Sequence, residues 1–252
     1  MRRAPALVVF LVACARTPPP TPPRSAAAAS IDVPALLLEV GAARTPSLRR
    51  PTESAEALAD AARAGRGAER VEALRKLALV ELFLAEDATD DRDAKRHRKA
   101  ALRTVRDARG RTRDRAIRAE LAFVDLWSAW RAGRGGAEDL ATRFVDEEHE
   151  AGELTLFAWI LKGEMALARE DFPQAAEAYR FVLAQLEHPL YAFALWRTAA
   201  CYRGMGRDED ARQALREAEQ IGSRDGAPGA ARRVADAARA ELGPAAAGGQ
   251  GP

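Results

Sequence analysis

The stretch FAWILKGEMALAREDFPQAAEAYRFVLAQLEHP, residues 157–189, places apolar and small residues at helical spacing on both sides of a polar turn. The following stretch, YAFALWRTAACYRGMGRDEDARQALREAEQIG, residues 191–222, has the same plan. Gly163 in the first unit corresponds to Ala199 in the second, 36 residues later. Two helices per unit, a short turn and a fixed period together predict stacked antiparallel helix hairpins.

Small residues in these units mark the places where two helices approach closely. Gly163 and Ala199 leave room on the first helix of each unit, and Ala175 and Ala211 do so on the second. Larger residues fill the gaps between hairpins, and a single hairpin cannot bury both of its faces, so neighbouring hairpins must stack. The predicted packing residues are Trp159, Gly163, Ala175, Tyr179, Ala199, Tyr202, Gly206, Ala211, Leu215 and Ala218.

The spacing of four of these residues resembles that of a known repeat family. Trp159 and Gly163 match the W-x3-G of the tetratricopeptide repeat (TPR), and Ala175 and Tyr179 match its A-x3-aromatic. The resemblance implies an all-α, TPR-like solenoid of antiparallel helix hairpins. It is strongest over residues 157–222 and weakens upstream, where the match is only repeat-like.

The remainder of the body also has the periodicity of helices, and no alternating run of β-branched residues predicts a strand. We therefore interpret residues 33–242 as one helical repeat domain and residues 243–252 as a disordered tail. Short turns between the helices favour antiparallel neighbours. The predicted helices are 52–64, 68–86, 92–108, 113–132, 137–149, 153–169, 173–187, 190–205, 208–221 and 229–242.

The N-terminal segment has the organisation of a signal peptide. Arg2 and Arg3 precede an apolar run of ten residues, 4–13. A run of this length is too short to cross a bilayer as a helix, which takes about 20 residues, and it fits the apolar region of a cleaved signal. Residues 1–13 are therefore predicted to be removed.

The residues at the cleavage point, Leu11-Val12-Ala13-Cys14, resemble the bacterial lipobox. That resemblance implies a covalent lipid on Cys14 and no other cofactor. By the same resemblance, Ala15 favours the outer membrane over the inner one, with the protein on the periplasmic face. The alternative is an ordinary secretory peptide, or a mis-assigned start, with an incidental cysteine.

Residues 14–32 follow as a linker rich in proline and alanine. Proline fixes its own φ and has no N–H to donate, so the segment is predicted to be extended. Such a segment would act as a spacer between the lipid surface and the helical body.

The charge of the chain is balanced, with 39 basic and 37 acidic side chains. The two extra positive charges are those of Arg2 and Arg3, which cleavage would remove. A general nucleic-acid binder carries a strong basic excess, so no nucleic-acid partner is predicted. Cys201 is the only cysteine besides Cys14. If Cys14 is lipidated, Cys201 has no cysteine to pair with, and we interpret it as a small buried hydrophobic residue.

The most polar part of the body is residues 91–118, which contain twelve Lys or Arg residues. The basic residues on the predicted helix 92–108 recur at three- and four-residue steps, which predicts that they share one basic face. This face could bind anionic lipid, a cell-wall polymer or an acidic protein. The alternative is a solvated helix face without a ligand. The residues proposed for this basic patch are Lys95, Arg98, Lys99, Arg103 and Arg106.

Catalytic motifs are missing from the sequence. No phosphate-binding loop, G-x-S-x-G elbow or H-E-x-x-H is present, and His97, His149 and His188 lack the spacing of a metal site. No enzymatic activity and no metal are predicted.

The sequence favours a scaffold anchored to the outer membrane. Its concave solenoid surface is expected to bind a protein partner in an envelope assembly, such as insertion of outer-membrane proteins or assembly of secretins or pili. The alternative function is binding of anionic lipid or cell-wall polymer through the basic face at 92–118.

Overall fold

The computed structural model describes residues 31–44, 51–147 and 152–243. Within these ranges the chain forms eleven α-helices and no β-strand. The prediction of an all-α fold built from antiparallel helix hairpins is confirmed. The helices are α1 (Val33–Arg44), α2 (Pro51–Ala64), α3 (Gly67–Asp87), α4 (Asp91–Arg109), α5 (Arg115–Arg131), α6 (Ala137–Glu147), α7 (Glu153–Ala168), α8 (Phe172–Leu183), α9 (Tyr191–Gly204), α10 (Asp208–Gly222) and α11 (Gly229–Leu242).

The ten predicted helices correspond to α2–α11, and their ends differ from the structure by at most four residues. The largest difference is at α8, which ends at Leu183 rather than at residue 187. There the N–H of Gln185 bonds the carbonyl of Val182, three residues back, at 3.0 Å. This tighter turn closes the helix before the proline that follows His188.

Helix α1 is the element that sequence periodicity does not predict. Its sequence, VPALLLEVGAAR, is apolar on almost every side, so it lacks the polar stripe that identifies an amphipathic helix. Val33, Leu36, Leu37 and Val40 are all buried. A helix of twelve residues is marginal by itself in water, so packing against the rest of the fold stabilises α1.

The helices form two layers. Odd-numbered helices contact their odd-numbered neighbours, as α3 does with α5, α5 with α7, and α9 with α11, whereas even-numbered helices contact mainly the odd-numbered helices beside them. In a curved stack of hairpins, the helices that contact one another line the concave side. We call α3, α5, α7, α9 and α11 the inner layer.

Helix α1 contacts both α3 and α11, the first and last helices of the inner layer. Leu36 and Leu37 are each only 1% exposed, and Glu39 of α1 forms an ion pair with Arg233 of α11. Helix α1 therefore bridges the first and last helices of the inner layer.

Aspartate side chains cap three of the predicted helices. Asp90 accepts a hydrogen bond from the N–H of Asp93 at 2.8 Å, and Asp114 accepts one from Ile117 at 3.1 Å. Asp171 caps α8 in the same way. Each cap satisfies a backbone N–H that the first turn leaves unpaired, which fixes where α4, α5 and α8 begin.

Most of the predicted packing residues are buried. The turn after α9 places Gly206 at φ +72°, in the left-handed region that glycine adopts without strain. Trp159 and Tyr202 are only half-buried, and both pack against the core. The buried members of the set are Gly163, Ala175, Tyr179, Ala199, Ala211, Leu215 and Ala218.

Gly163 lies against the ring of Tyr179. A Cβ built on Gly163 would be 2.6 Å from two carbons of that ring, well inside van der Waals contact. The ring has no room to move, because Tyr179 is fully buried and its hydroxyl donates a hydrogen bond to Glu164 at 2.8 Å. The absence of a side chain at Gly163 thus sets how closely α7 and α8 approach.

Replacing Gly163 with alanine should destabilise the fold. The overlap with Tyr179 should cost about 1–3 kcal/mol, and the better helix propensity of alanine, about 1 kcal/mol, offsets only part of it. Thermal unfolding followed by circular dichroism should show a lower Tm for Gly163→Ala. Gly135→Ala is the control, because a Cβ at Gly135 meets nothing within 4 Å. Equal Tm values for the two variants would contradict this account of the α7–α8 contact.

Candidate functional site

The proposed basic patch on α4 divides into paired and unpaired residues. Lys95 forms an ion pair with Asp91 at 2.6 Å, and Arg98 lies 3.7 Å from Asp91. Lys99, Arg103 and Arg106 are exposed, and no described acidic residue forms an ion pair with them. Three of the five predicted residues thus carry a charge without a counterion among the described residues.

A buried carboxylate lies beneath this part of α4. Glu86, near the end of α3, has a side chain only 2% exposed. It accepts a hydrogen bond from the indole N–H of Trp127 at 3.0 Å, and Nε of Arg131 lies 2.7 Å from its other oxygen. That second contact is an ion pair without hydrogen-bond alignment. Arg98 approaches the same carboxylate at 4.0 Å, so Glu86 holds two arginines from two helices.

A cavity of about 560 Å³ opens above Glu86, between α4 and the end of α5. Its polar lining is mostly cationic, and Asp91 is the one acidic residue in it. We call it the basic cavity, and its polar lining residues other than Asp91 are Lys95, Arg98, Lys99, Ser128, Arg131 and Arg134.

A second cavity of about 630 Å³ lies at the other end of α4, between α5 and α6. Two of its arginines have partners: Arg109 pairs with Asp125, and Arg115 donates to the backbone carbonyl of Glu147 at 2.7 Å. We call it the arginine cavity. The arginines that line it are Arg109, Arg113, Arg115, Arg118 and Arg143.

Buried carboxylates also join other neighbouring helices of the inner layer. Glu164 of α7 pairs with Arg197 of α9 at 2.7 Å. Glu241 of α11 pairs with Arg203 of α9 at 2.8 Å and accepts the indole N–H of Trp196 at 2.6 Å. This arrangement is the same as the one at Glu86: a tryptophan and an arginine of one inner helix contact a carboxylate of a neighbouring inner helix.

The environment of Glu164 favours its neutral form. Burial raises the pKa of Glu164, and the charge of Arg197 and the hydrogen bond from Tyr179 offset that effect only in part. Burial also raises the pKa of Tyr179 well above its usual value, so its hydroxyl remains a donor. These polar groups fix the contact among α7, α8 and α9.

Cys201 lies in the same region and is buried, as predicted. Burial, together with the nearby Glu164, raises the pKa of its thiol to about 12. Because the thiolate is the reactive form, Cys201 acts here as a small apolar side chain.

The α7–α8 hairpin carries a partly exposed aromatic pair. The rings of Trp159 and Phe181 stack with centroids 3.9 Å apart and planes 8° from parallel. Phe181 is 40% exposed, and Leu186, just beyond α8, is 72% exposed. The ammonium of Lys162 lies 4.9 Å from the centroid of the Trp159 ring. The combination gives this hairpin an apolar surface with an adjacent positive charge.

Sequence reasoning missed the residues that α5 contributes to the basic cavity. Ser128, Arg131 and Arg134 are far from α4 in sequence, and only the antiparallel packing of α4 and α5 brings them beside Lys99. The spacing of Trp127 and Arg131 by one helical turn is the local signal that could have indicated a shared buried partner.

The other predicted sites contribute no further group. His97 contacts Glu81 at 2.7 Å and His188 lies 3.7 Å from Glu153, whereas Cys14 and His149 fall outside the described residues. In the part of the chain that the structure describes, no cluster of His, Cys, Asp or Glu side chains could hold a metal ion. None of the described helices is both long and apolar enough to cross a membrane.

No known protein family, no curated protein and no solved structure matches this chain.

The pH dependence of stability should reveal the buried Glu164. Its folded-state pKa is raised, so the unfolded chain loses this proton first as pH rises. The resulting contribution to stability is complete below the unfolded pKa, about 4.3, and is lost as pH rises through the folded value. Relative to Glu164→Gln, the native protein should lose unfolding free energy over that interval.

Urea unfolding of both proteins at several pH values measures this difference. Tyr179→Phe supplies a matched variant, because it keeps the carboxyl buried but removes a hydrogen bond that favours its charged form. That variant should lose stability with pH more steeply than the native protein does. Parallel curves for all three proteins would contradict the assignment.

Proposed function

We propose that the protein is a non-catalytic, TPR-like scaffold, lipid-anchored at Cys14 to the periplasmic face of the outer membrane, that binds a protein partner. The stacked hairpins and the repeat-like spacing of residues 157–222 support the scaffold part. The lipobox resemblance of residues 11–14 supports the anchor. The partner belongs to an envelope assembly, of the class that inserts outer-membrane proteins or builds secretins or pili.

The partly exposed stack of Trp159 and Phe181, with Leu186 nearby in sequence, carries the protein-binding proposal. Contiguous apolar patches exposed to water mark interaction surfaces, and tryptophan is enriched among residues that dominate binding energy. We therefore assign the contact to the α7–α8 hairpin.

Cross-linking in native membranes followed by mass spectrometry tests this surface. Phe181→Ala combined with Leu186→Ala removes its exposed apolar area and should reduce the yield of the cross-linked partner at least tenfold, since hot-spot truncations cost about 2 kcal/mol or more. Gln213→Ala with Arg216→Ala, two exposed positions on α10, is the matched control. Recovery of lipid or murein alone, with no protein partner, would contradict the scaffold proposal.

Replacing the anchoring cysteine tests the location. The native protein should fractionate with the outer membrane, because acyl chains contribute about 0.8 kcal/mol for each buried methylene. Cys14→Ser cannot be lipidated, so it should leave that fraction and keep the mass of the unprocessed chain. A Cys14→Ser product that still fractionates with envelopes at the mass of the native protein would overturn the placement.

We propose a second candidate function, binding of anionic lipid or cell-wall polymer through the basic face of α4. Its support is the charge of Lys99, Arg103 and Arg106, which are exposed and have no described ion-pair partner. Long-range attraction by such a face falls as salt rises, because the Debye length is about 8 Å at physiological ionic strength. Arg103 and Arg106 lie outside the basic cavity, so their removal separates a diffuse surface from a defined site.

A further inference from the structure

The basic cavity contains a buried polar group that the protein itself leaves unsatisfied. Ser128 lines the cavity and is only 1% exposed, yet its hydroxyl has no hydrogen-bond partner. A buried hydroxyl without a partner costs free energy. A ligand with acceptor oxygens, bound in the cavity, would satisfy it.

Two cationic side chains in the cavity also lack partners. No described residue forms an ion pair with Lys99 on α4 or with Arg134 just after α5. Lys99 approaches the cavity from α4 and Arg134 from the turn after α5, and no described carboxylate pairs with either. Their charges are therefore available to a ligand without loss of an internal ion pair.

Arg98 and Arg131 are held in place from below. Both contact the buried carboxylate of Glu86, at 4.0 and 2.7 Å. A guanidinium carries five N–H donors in a fixed plane, and one carboxylate occupies at most two of them. Each of these arginines can therefore keep its ion pair with Glu86 and donate to a ligand in the cavity, and the contact with Glu86 reduces the entropy lost on binding.

We infer that the basic cavity is a binding site for a phosphate group of an envelope component. This inference deepens the second proposed function, because it replaces a diffuse basic face with a defined pocket. Five cationic side chains line the cavity against one acidic residue, Asp91, and Glu86 beneath neutralises one more charge. The excess of positive charge matches a phosphate monoester or diester.

The geometry favours phosphate because arginine binds phosphate oxygens through two parallel hydrogen bonds. The tetrahedral group also has enough acceptor oxygens to match the donors of Lys99, Arg134 and Ser128, which all line the cavity. A volume of about 560 Å³ falls within the range of small-molecule sites. It therefore accepts the phosphate together with part of the molecule that carries it.

Isothermal titration calorimetry on the full chain, purified in non-ionic detergent, tests the site. The probes are inorganic phosphate and glycerophosphoglycerol, a soluble phosphodiester head group. Lys99→Ala combined with Arg134→Ala should weaken binding at least tenfold, because two charge-assisted hydrogen bonds are lost. Ser128→Ala keeps every charge and should weaken binding about fivefold.

Arg103→Ala combined with Arg106→Ala is the matched control. It removes the same charge from the same region but leaves the cavity lining intact, so it should change the affinity less than twofold. Absence of phosphate binding, or equal loss in the cavity and control variants, would overturn the inference. Equal loss would instead favour the diffuse basic face.

The two probes separate the sources of the phosphate group. Cavity-dependent binding of glycerophosphoglycerol identifies a phosphodiester such as a lipid head group, and cavity-dependent binding of inorganic phosphate alone identifies a monoester. Either result supports the site. The cross-linked partner should be unchanged in Lys99→Ala with Arg134→Ala, so the scaffold proposal and the phosphate site can fail independently.

Discussion

The fold depends on buried carboxylates that join neighbouring helices of the inner layer. Removing a carboxylate from water is costly unless an opposite charge and hydrogen bonds compensate. Here the compensation comes from the adjacent helix: Arg197 for Glu164, Arg131 and Trp127 for Glu86, and Arg203 and Trp196 for Glu241. Apolar packing alone would tolerate one inner helix sliding along the next. A carboxylate with one available partner fixes the register between the two.

The need to compensate the buried Glu86 carboxylate also explains how two arginines come to line the basic cavity. Glu86 lies under the cavity and draws Arg98 of α4 and Arg131 of α5 toward one point. Two cations held so close together repel each other unless an anion lies between them. Glu86 reduces that repulsion, and both arginines still line the cavity. The contacts of Glu86 that join α3 to α5 therefore also position the arginines that line the cavity.

Sequence reasoning recovered what local chemistry determines. Ten helices follow from apolar periodicity and the short turns between them, and the close approach at Gly163 follows from a glycine within a helix. Tertiary packing determines the rest. No local pattern places Ser128 and Arg134 beside Lys99, because only the packing of α4 against α5 does so. Helix α1 was not predicted for a related reason. A segment that is apolar on almost every side has no polar stripe, so only its packing in the fold shows which face is buried.

The position of α1 links the predicted anchor to the architecture of the body. In sequence α1 directly follows the proline-rich linker, and in the fold it contacts both α3 and α11. A tension applied through the linker would therefore act on the first and last inner helices at once, rather than fraying one terminal hairpin. Leu36 and Leu37 resist it, because withdrawing each buried leucine into water costs about 1.5–3 kcal/mol. The contacts of α1 thus tie the two ends of the inner layer together within the described part of the chain.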